Sequence, residues 1–381
     1  DMAVAASVRR ALAFLVQAGP ASPQDRWEED AGVSPFTLAV CIAALVAGAG
    51  LLPEAERGLP LAVADFWNAR LEDWCVARGT ALGARHGVPA YYVREAPPDI
   101  LCDDYAMQRV LPIKNRGDGL RLAADAQVAT DFLQLVRLGL RRADDALIVG
   151  TLALADALLQ TATPLGPVWH RYNGDGYGEH DDGRAFDGAG RGRGWPLLSG
   201  ERGHYELAAG RDALPYLAAM NAMASHGLIP EQVWDAPALG RFRPGRPTGS
   251  AMPLAWAHAE FVKLAASRAE GHPFDRPAAV WRRYGGKRPR AAAAIWTPGA
   301  PLRRVEQGQA LWIVLPEAAV VRLWLDAAST PAEQATAACG LGLHGLLLDA
   351  ARLAGHSRLQ FSWQDQRGKA MQEMARVDLA G

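Results

Sequence analysis

Residues 169–210, WHRYNGDGYGEHDDGRAFDGAGRGRGWPLLSGERGHYELAAG, crowd Arg171, Asp175, Glu179, Asp181, Asp182, Glu201 and Glu206 among eleven glycines, and from Trp195 take on an apolar helical pattern. The stretch is too polar for a core. Glycine at this density gives up backbone entropy, so the loop needs a reason such as tight turns or close approach to a ligand. Aromatic rings beside fixed carboxylates and an arginine suit a sugar, which has apolar faces and hydroxyl edges. Two other readings stand beside that one. One is a disordered surface insertion, against which the fixed helical ending argues. The other is a calcium loop, since Asn173, Asp175, Tyr177 and Glu179 alternate, although their spacing departs from the EF-hand pattern.

Outward from this loop the pattern is helical on both sides. Val4–Ala18 ends at Gly19-Pro20, and Ser34-Pro35 caps and starts a helix through Leu52, proline taking the first turn where its missing N–H costs nothing. Further helices are expected at Leu61–Val76, Val128–Leu140, Ala146–Leu159, Trp195–Ala209, Ala213–Ser225 and Pro253–Ser267, with Val128–Leu140 and Ala146–Leu159 making an antiparallel pair across the charged turn Arg141–Asp145. Eight helices with strands nearly absent predict an all-α domain over 1–272. Between Arg78 and Asp118 only Val88–Val93 suggests a short strand. Past Pro273 the composition changes, and short β-favouring runs at Ala291–Trp296, Gln309–Leu315, Val320–Leu325 and Arg358–Trp363 predict a β-rich appendage over 273–381, with Leu346–Leu353 open to a helical reading.

Composition narrows the classes. With 381 residues and 50% hydrophobic content the chain can bury a large core. Forty basic against 41 acidic residues give a net charge of -1, so neither nucleic acid nor membrane is an expected partner. Cys41, Cys75, Cys102 and Cys339 lie far apart without a CxxC pair, which argues against a zinc site, and no metal or other cofactor is expected.

Three loops bring carboxylates next to aromatic rings at helix ends: Asp25-Arg26-Trp27-Glu28-Glu29-Asp30, the glycine-rich loop, and Gly227–Asp235 with Glu231 and Trp234. Two carboxylates on opposite sides of a sugar ring are what glycoside hydrolysis requires, one protonated to donate to the leaving oxygen and one ionised to activate water.

DRWEEDAGVSPFTLAV (25–40), RYNGDGYG (171–178) with GWPLLSGERGHYELAAG (194–210), and IPEQVWD (229–235) followed by TGSAMPLAWAHAEFVKL (248–264) together resemble the glucoamylases and glucodextranases of glycoside hydrolase family 15, especially the bacterial branch. The resemblance implies an (α/α)6 toroid of six outer and six inner helices and inverting hydrolysis that releases glucose from non-reducing ends of an α-glucan or oligosaccharide. It places the general acid at Glu28 and the general base at Glu231. Trp27 and Glu29 fall where the family lines the first sugar subsite, Arg171 and Asp175 on its Arg-Tyr-x-x-Asp substrate contacts, and Trp256 on an aromatic of the pocket. Glu201 and Glu206 fall on a helix, where ion pairing with Arg202 and His204 is expected.

A family barrel has twelve helices, and here the acid follows the first helix instead of the fifth. The resemblance therefore implies that an upstream part of the same protein completes the barrel and supplies an Arg-Asp pair that grips the glucose. Glu28 is expected to be kept protonated by desolvation against Trp27, and Gln232 to donate to an ionised Glu231. α-1,6-linked glucans and trehalose are alternative substrates on the same fold, and a non-catalytic carbohydrate-binding remnant is the alternative from another class.

Overall fold

The computed structural model describes residues 2–103, 105–326, 328–365 and 374–379. Helices dominate up to Tyr284: Met2–Ala18, Pro35–Ala49, Gly58–Cys75, Ala81–His86, Leu133–Arg137, Ala146–Leu159, Pro196–Ala208, Leu214–Met223, Ala255–Glu270 and Ala278–Tyr284. The last of these lies beyond Pro273 and packs on the Pro35–Ala49 helix, so the helical region reaches past the composition change.

Pro35–Ala49 carries no charged residue and buries Leu38, Ile42, Leu45 and Val46, as a helix surrounded by others must. Ser34 caps it, its hydroxyl accepting from the Phe36 amide at 3.2 Å. Asp145 caps Ala146–Leu159 in the same way, through the Leu147 and Ile148 amides. A row of packed helices runs from Pro35–Ala49 to Leu133–Arg137, on to Pro196–Ala208 and then to Ala255–Glu270. Gly58–Cys75 and Leu214–Met223 flank this row. Three members of the row, Pro35–Ala49, Pro196–Ala208 and Ala255–Glu270, are entered from the loops that hold the expected site residues.

The segment expected to be helical from Val128 to Leu140 is so only over Leu133–Arg137. Its first residues bond to loops instead: the Gln127 carbonyl accepts from the Arg94 amide, and the Val128 carbonyl from the Asn173 amide. Arg137 and Arg141 then point inward, Arg137 to Glu260 and Asp275 and Arg141 to Glu72. Three two-stranded ribbons escaped the sequence reading or were only glimpsed in it, Val76–Arg78 with Ala90–Tyr92, Val110–Pro112 with Arg121–Ala123, and Gln160–Thr163 with Gly166–Trp169. The second presents Lys114 and Asn115 at its turn, and the third launches the glycine-rich loop.

After Ala291 the chain forms two sheets. Five strands are ordered Ala332–Ala335, Ala319–Leu325, Arg358–Asp365, Ala375–Leu379, Arg304–Val305, and four are ordered Ala337–Gly340, Leu343–Leu348, Ala310–Leu315, Ala293–Trp296. Trp296 of the smaller sheet meets Phe361 and Trp363 of the larger edge-on, with ring centroids 4.9 and 5.2 Å away, which holds the sheets face to face. Leu343–Leu348 is a strand paired with Ala310–Leu315, and only Ala350–Leu353 is helical. The sheets rest on the Gly58–Cys75 helix, where Phe66, Trp67 and Trp74 meet Ile295, Ala300 and Leu302, and Arg70 pairs with Glu306 at 3.2 Å. All four cysteines are free thiols. Among the described residues no helix is long and apolar enough to cross a membrane, and no group of three His, Cys, Asp or Glu is placed to hold a metal ion.

Candidate active site

The three carboxylate loops converge. Arg26, Trp27, Glu28 and Glu29 of the first, Arg171, Tyr177 and Trp195 of the second, and Glu231, Leu254 and Trp256 around the third line one pocket of about 640 Å³, together with Lys114 and Asn115. Trp195 and Leu254 are the N-cap residues of their helices, so two walls of the pocket are set by helix starts.

Asp25 organises the first loop. One of its carboxylate oxygens accepts from the Trp27 amide at 2.9 Å and the Glu29 amide at 3.0 Å, and the other from Arg94 at 2.6 Å. The turn this enforces puts Glu28 at φ 60°, a left-handed conformation costly for a residue with a side chain. Glu28 is exposed. It stands out into the pocket mouth and is not packed under Trp27 as expected from the sequence; Trp27 lies against Trp195, centroids 5.0 Å apart, and Trp256, at 5.6 Å.

Glu29 is at the centre of a buried network. One oxygen accepts from Arg171 at 2.8 Å and Asn115 at 3.1 Å, the other from Arg94 at 2.9 Å and the Tyr172 hydroxyl at 2.5 Å. Burial raises its carboxyl above the ordinary range, and the charges of Arg171 and Arg94 with the Tyr172 bond only partly offset it.

Arg171 lines the pocket and Asp175 does not. Both oxygens of Asp175 are occupied by Arg171, at 2.8 and 2.7 Å, and one also accepts from the Tyr177 amide at 2.9 Å. Asp175, expected as a sugar contact, turns both oxygens to Arg171 and holds its guanidinium, whose carbon sits 4.9 Å from the Tyr177 ring centre and 5.1 Å from that of Trp27. Burial by itself would lower the Arg171 pKa, but Asp175 and Glu29 outweigh it and the group stays charged.

Glu231, in the same pocket, is only 8% exposed. The Gln232 amide donates to it at 3.4 Å and to the Tyr177 carbonyl at 3.0 Å, and the Tyr177 hydroxyl donates to it as well. Desolvation raises the Glu231 carboxyl above its ordinary value; the Tyr177 and Gln232 bonds and the Arg171 charge oppose this, and Glu179 adds to it.

The glycines explain how three loops fit behind one pocket. A Cβ on Gly176 would lie 1.8 Å from the Asn115 carbonyl oxygen, and one on Gly192 2.6 Å from the Asp175 carboxyl. Close approach, not flexibility, is what these positions require. Asp175 is spent inside the loop on Arg171, and Glu179 reaches out of it to the Gly249 amide. Glu206 pairs with Arg202 at 2.7 Å and with Arg211, as expected of a structural acid, whereas Glu201 reaches Arg26 and His204 reaches Glu260.

Tyr177 enters the sequence reading only within the calcium-like alternation, and Trp195, Lys114, Asn115 and the buried pair Arg94 and Tyr172 do not enter it as site residues. Tyr177 and Trp195 sit inside the quoted motifs and could have been taken from them. Asn115 and Lys114 carry no such signal: they lie 56 or more residues from any other wall residue and arrive on the turn between Val110–Pro112 and Arg121–Ala123.

A family model for the glycosyl hydrolases family 15 matches residues 1–266. A glucoamylase from Clostridium sp. (strain G0005) is 41% identical over 281 residues, which are 72% of this chain and 37% of that protein. The crystal structure of a bacterial glucoamylase complexed with acarbose superposes with a TM-score of 0.65 at 39% identity, covering 73% of this chain and 39% of that one. The chain thus spans somewhat over a third of the length of these relatives. The matched residues include all three loops that build the pocket, and the chain belongs to glycosyl hydrolase family 15.

Proposed function

We propose that the pocket is the catalytic centre of an inverting, exo-acting glucan α-glucosidase that takes glucose from the non-reducing ends of α-1,4-linked chains. The observation that carries this is the pairing of Glu28 and Glu231 in the wall of one aromatic-lined pocket. The similarity to two glucoamylases supports the substrate class. Glu28, exposed in the mouth, donates a proton to the glycosidic oxygen as the bond to the anomeric carbon breaks. Glu231 takes a proton from a water molecule that attacks that carbon from the other face, and the product leaves as β-glucose. Trp27, Trp195 and Trp256 offer apolar surface to the sugar faces, while Arg171 and Glu29, held by Asp175 and Arg94, offer charged partners to hydroxyls. An inverting reaction needs about 6.5–9.5 Å between the carboxyls to admit the water.

The same reading assigns 1–272, together with the Ala278–Tyr284 helix that packs on it, to a catalytic domain of (α/α)6 type whose remaining helices come from an upstream part of the same protein, and the two sheets after Ala291 to a β-rich module packed on it. That the chain covers 37% and 39% of these two relatives supports a further part of the protein. Proton NMR of maltose hydrolysis by the full-length protein tests the activity. β-Glucose should appear first and mutarotate; α-glucose appearing first, or glucose released from isomaltose or trehalose in preference to maltose, would overturn the mechanism or the linkage respectively.

The pH profile should carry the mark of Glu231. Its raised carboxyl must be ionised to act as base, so kcat/KM falls as pH drops through a value above the ordinary glutamate range. The Tyr177 hydroxyl favours the ionised form, and Tyr177→Phe should therefore move this acid limb to still higher pH. A limb that stays put or moves down in that variant would show that Tyr177 does not tune the base.

A further inference from the structure

Arg26 precedes the pocket tryptophan, lines the pocket, and has no part in the reaction described above. Its side chain is 5% exposed and makes two ion pairs, to Asp131 at 2.8 Å and Glu201 at 2.6 Å. The guanidinium carbon stands 4.6 Å from the ring centre of Trp27, 4.4 Å from that of Phe36 and 5.8 Å from that of Trp256. These five partners come from the acid-bearing loop, the Pro35–Ala49, Pro196–Ala208 and Ala255–Glu270 helices, and the segment before Leu133–Arg137.

We propose that Arg26 is a positioning residue for hydrolysis: a planar spacer, clamped by Asp131 and Glu201, that sets the Trp27 and Trp256 rings as one wall for the sugar. The proposal rests on the α-glucosidase reading of the site. Stability alone is a poor reason for such a group, because burying a cation with two carboxylates carries a desolvation penalty that an apolar side chain of similar volume avoids. Only a flat, multiply donating cation can stack on aromatic rings and reach two acids at once; lysine, a point charge on a flexible stem, cannot. Position matters here because small misplacements of groups around a reacting centre are felt strongly in rate. Trp27 and Trp256 lie on separate elements, and their rings meet where Arg26 stands.

The test uses the full-length protein with Arg26→Lys, Arg26→Met and Glu201→Gln, the last leaving the Asp131 pair in place. Steady-state hydrolysis of maltose is read together with near-ultraviolet circular dichroism of the tryptophans and thermal unfolding. Arg26→Lys and Arg26→Met should raise KM and lower kcat/KM by about 10- to 100-fold and change the near-ultraviolet signal, and Glu201→Gln should shift all three in the same direction by less. A lower Tm with unchanged KM, kcat and near-ultraviolet signal would mean that Arg26 only stabilises, and would overturn the proposal. Should the Arg26 variants fail to fold, Glu201→Gln decides by the same criteria. If the wild-type protein releases no glucose from maltose, the functional reading fails, and the near-ultraviolet comparison still decides whether Arg26 sets the tryptophan wall.

Discussion

Glu231→Gln should lose glucose release from maltose by about 10²- to 10⁴-fold in kcat, the range that a positioned general base contributes. The substitution keeps the volume and leaves a group that can still bond to the Tyr177 hydroxyl, so the fold and KM should change little. Glu28→Gln should be comparably slow on maltose, where the leaving oxygen must be protonated. The two variants part on α-glucosyl fluoride, whose leaving group needs no proton. Glu28→Gln should hydrolyse it at least in part, because the water-activating carboxylate is intact, and Glu231→Gln should not. The surroundings fit this division: Glu28 stands exposed at the mouth, and Glu231 is buried between the Tyr177 hydroxyl and the Gln232 amide, both of which favour a carboxylate. The reverse pattern on the fluoride would exchange the two roles, and full activity of either variant on maltose would remove that residue from the mechanism.

Much of the site was legible because its parts lie in short runs that must keep their order to work. Asp25 and Glu29 are four residues apart with Trp27 between them, and the structure uses that spacing, Asp25 bonding the amides of both later residues. Ser34-Pro35 announces the helix behind the loop, and Trp195-Pro196 the helix beside it. What the sequence concealed is the long-range partner of each charge. Arg94 and Asn115 reach Glu29 across 65 and 86 residues, and Arg26 reaches Glu201 across 175. No periodicity encodes such pairs. The same limit explains Asp175, which reads as a ligand contact beside Arg171 but turns both oxygens onto it. It also explains Val128–Leu140, where apolar spacing promises a helix and the backbone bonds of neighbouring loops consume the first turn. The β-rich region was visible from its composition; the face-to-face packing of its sheets was not, since Trp296 and Trp363 are 67 residues apart in sequence.

Arg171→Ala should have the second large effect, and it should show in both stability and catalysis. The guanidinium bridges Glu29 and Asp175, whose side chains are 7% and 1% exposed, and it packs beside Trp27 and Tyr177. Its removal leaves Asp175 with the Tyr177 amide as the remaining donor described above, and Glu29 with Arg94, Tyr172 and Asn115. Taking one partner from a buried ion pair costs about 3–5 kcal/mol, because the other charge stays buried. A drop in Tm is therefore expected along with a loss in kcat/KM of about 100-fold or more, since the group is both a pocket wall and the tie between the first two loops. Arg171→Lys restores the charge without the two-pronged geometry and should recover stability better than activity. Asp175→Asn tests the buttress: if Asp175 acts only through Arg171, its KM and kcat should shift in the same direction as those of Arg171→Ala but by less. An Arg171→Ala protein with unchanged kcat/KM would remove Arg171 from the site, and an Asp175→Asn protein more impaired than Arg171→Ala would put Asp175 in direct contact with the sugar.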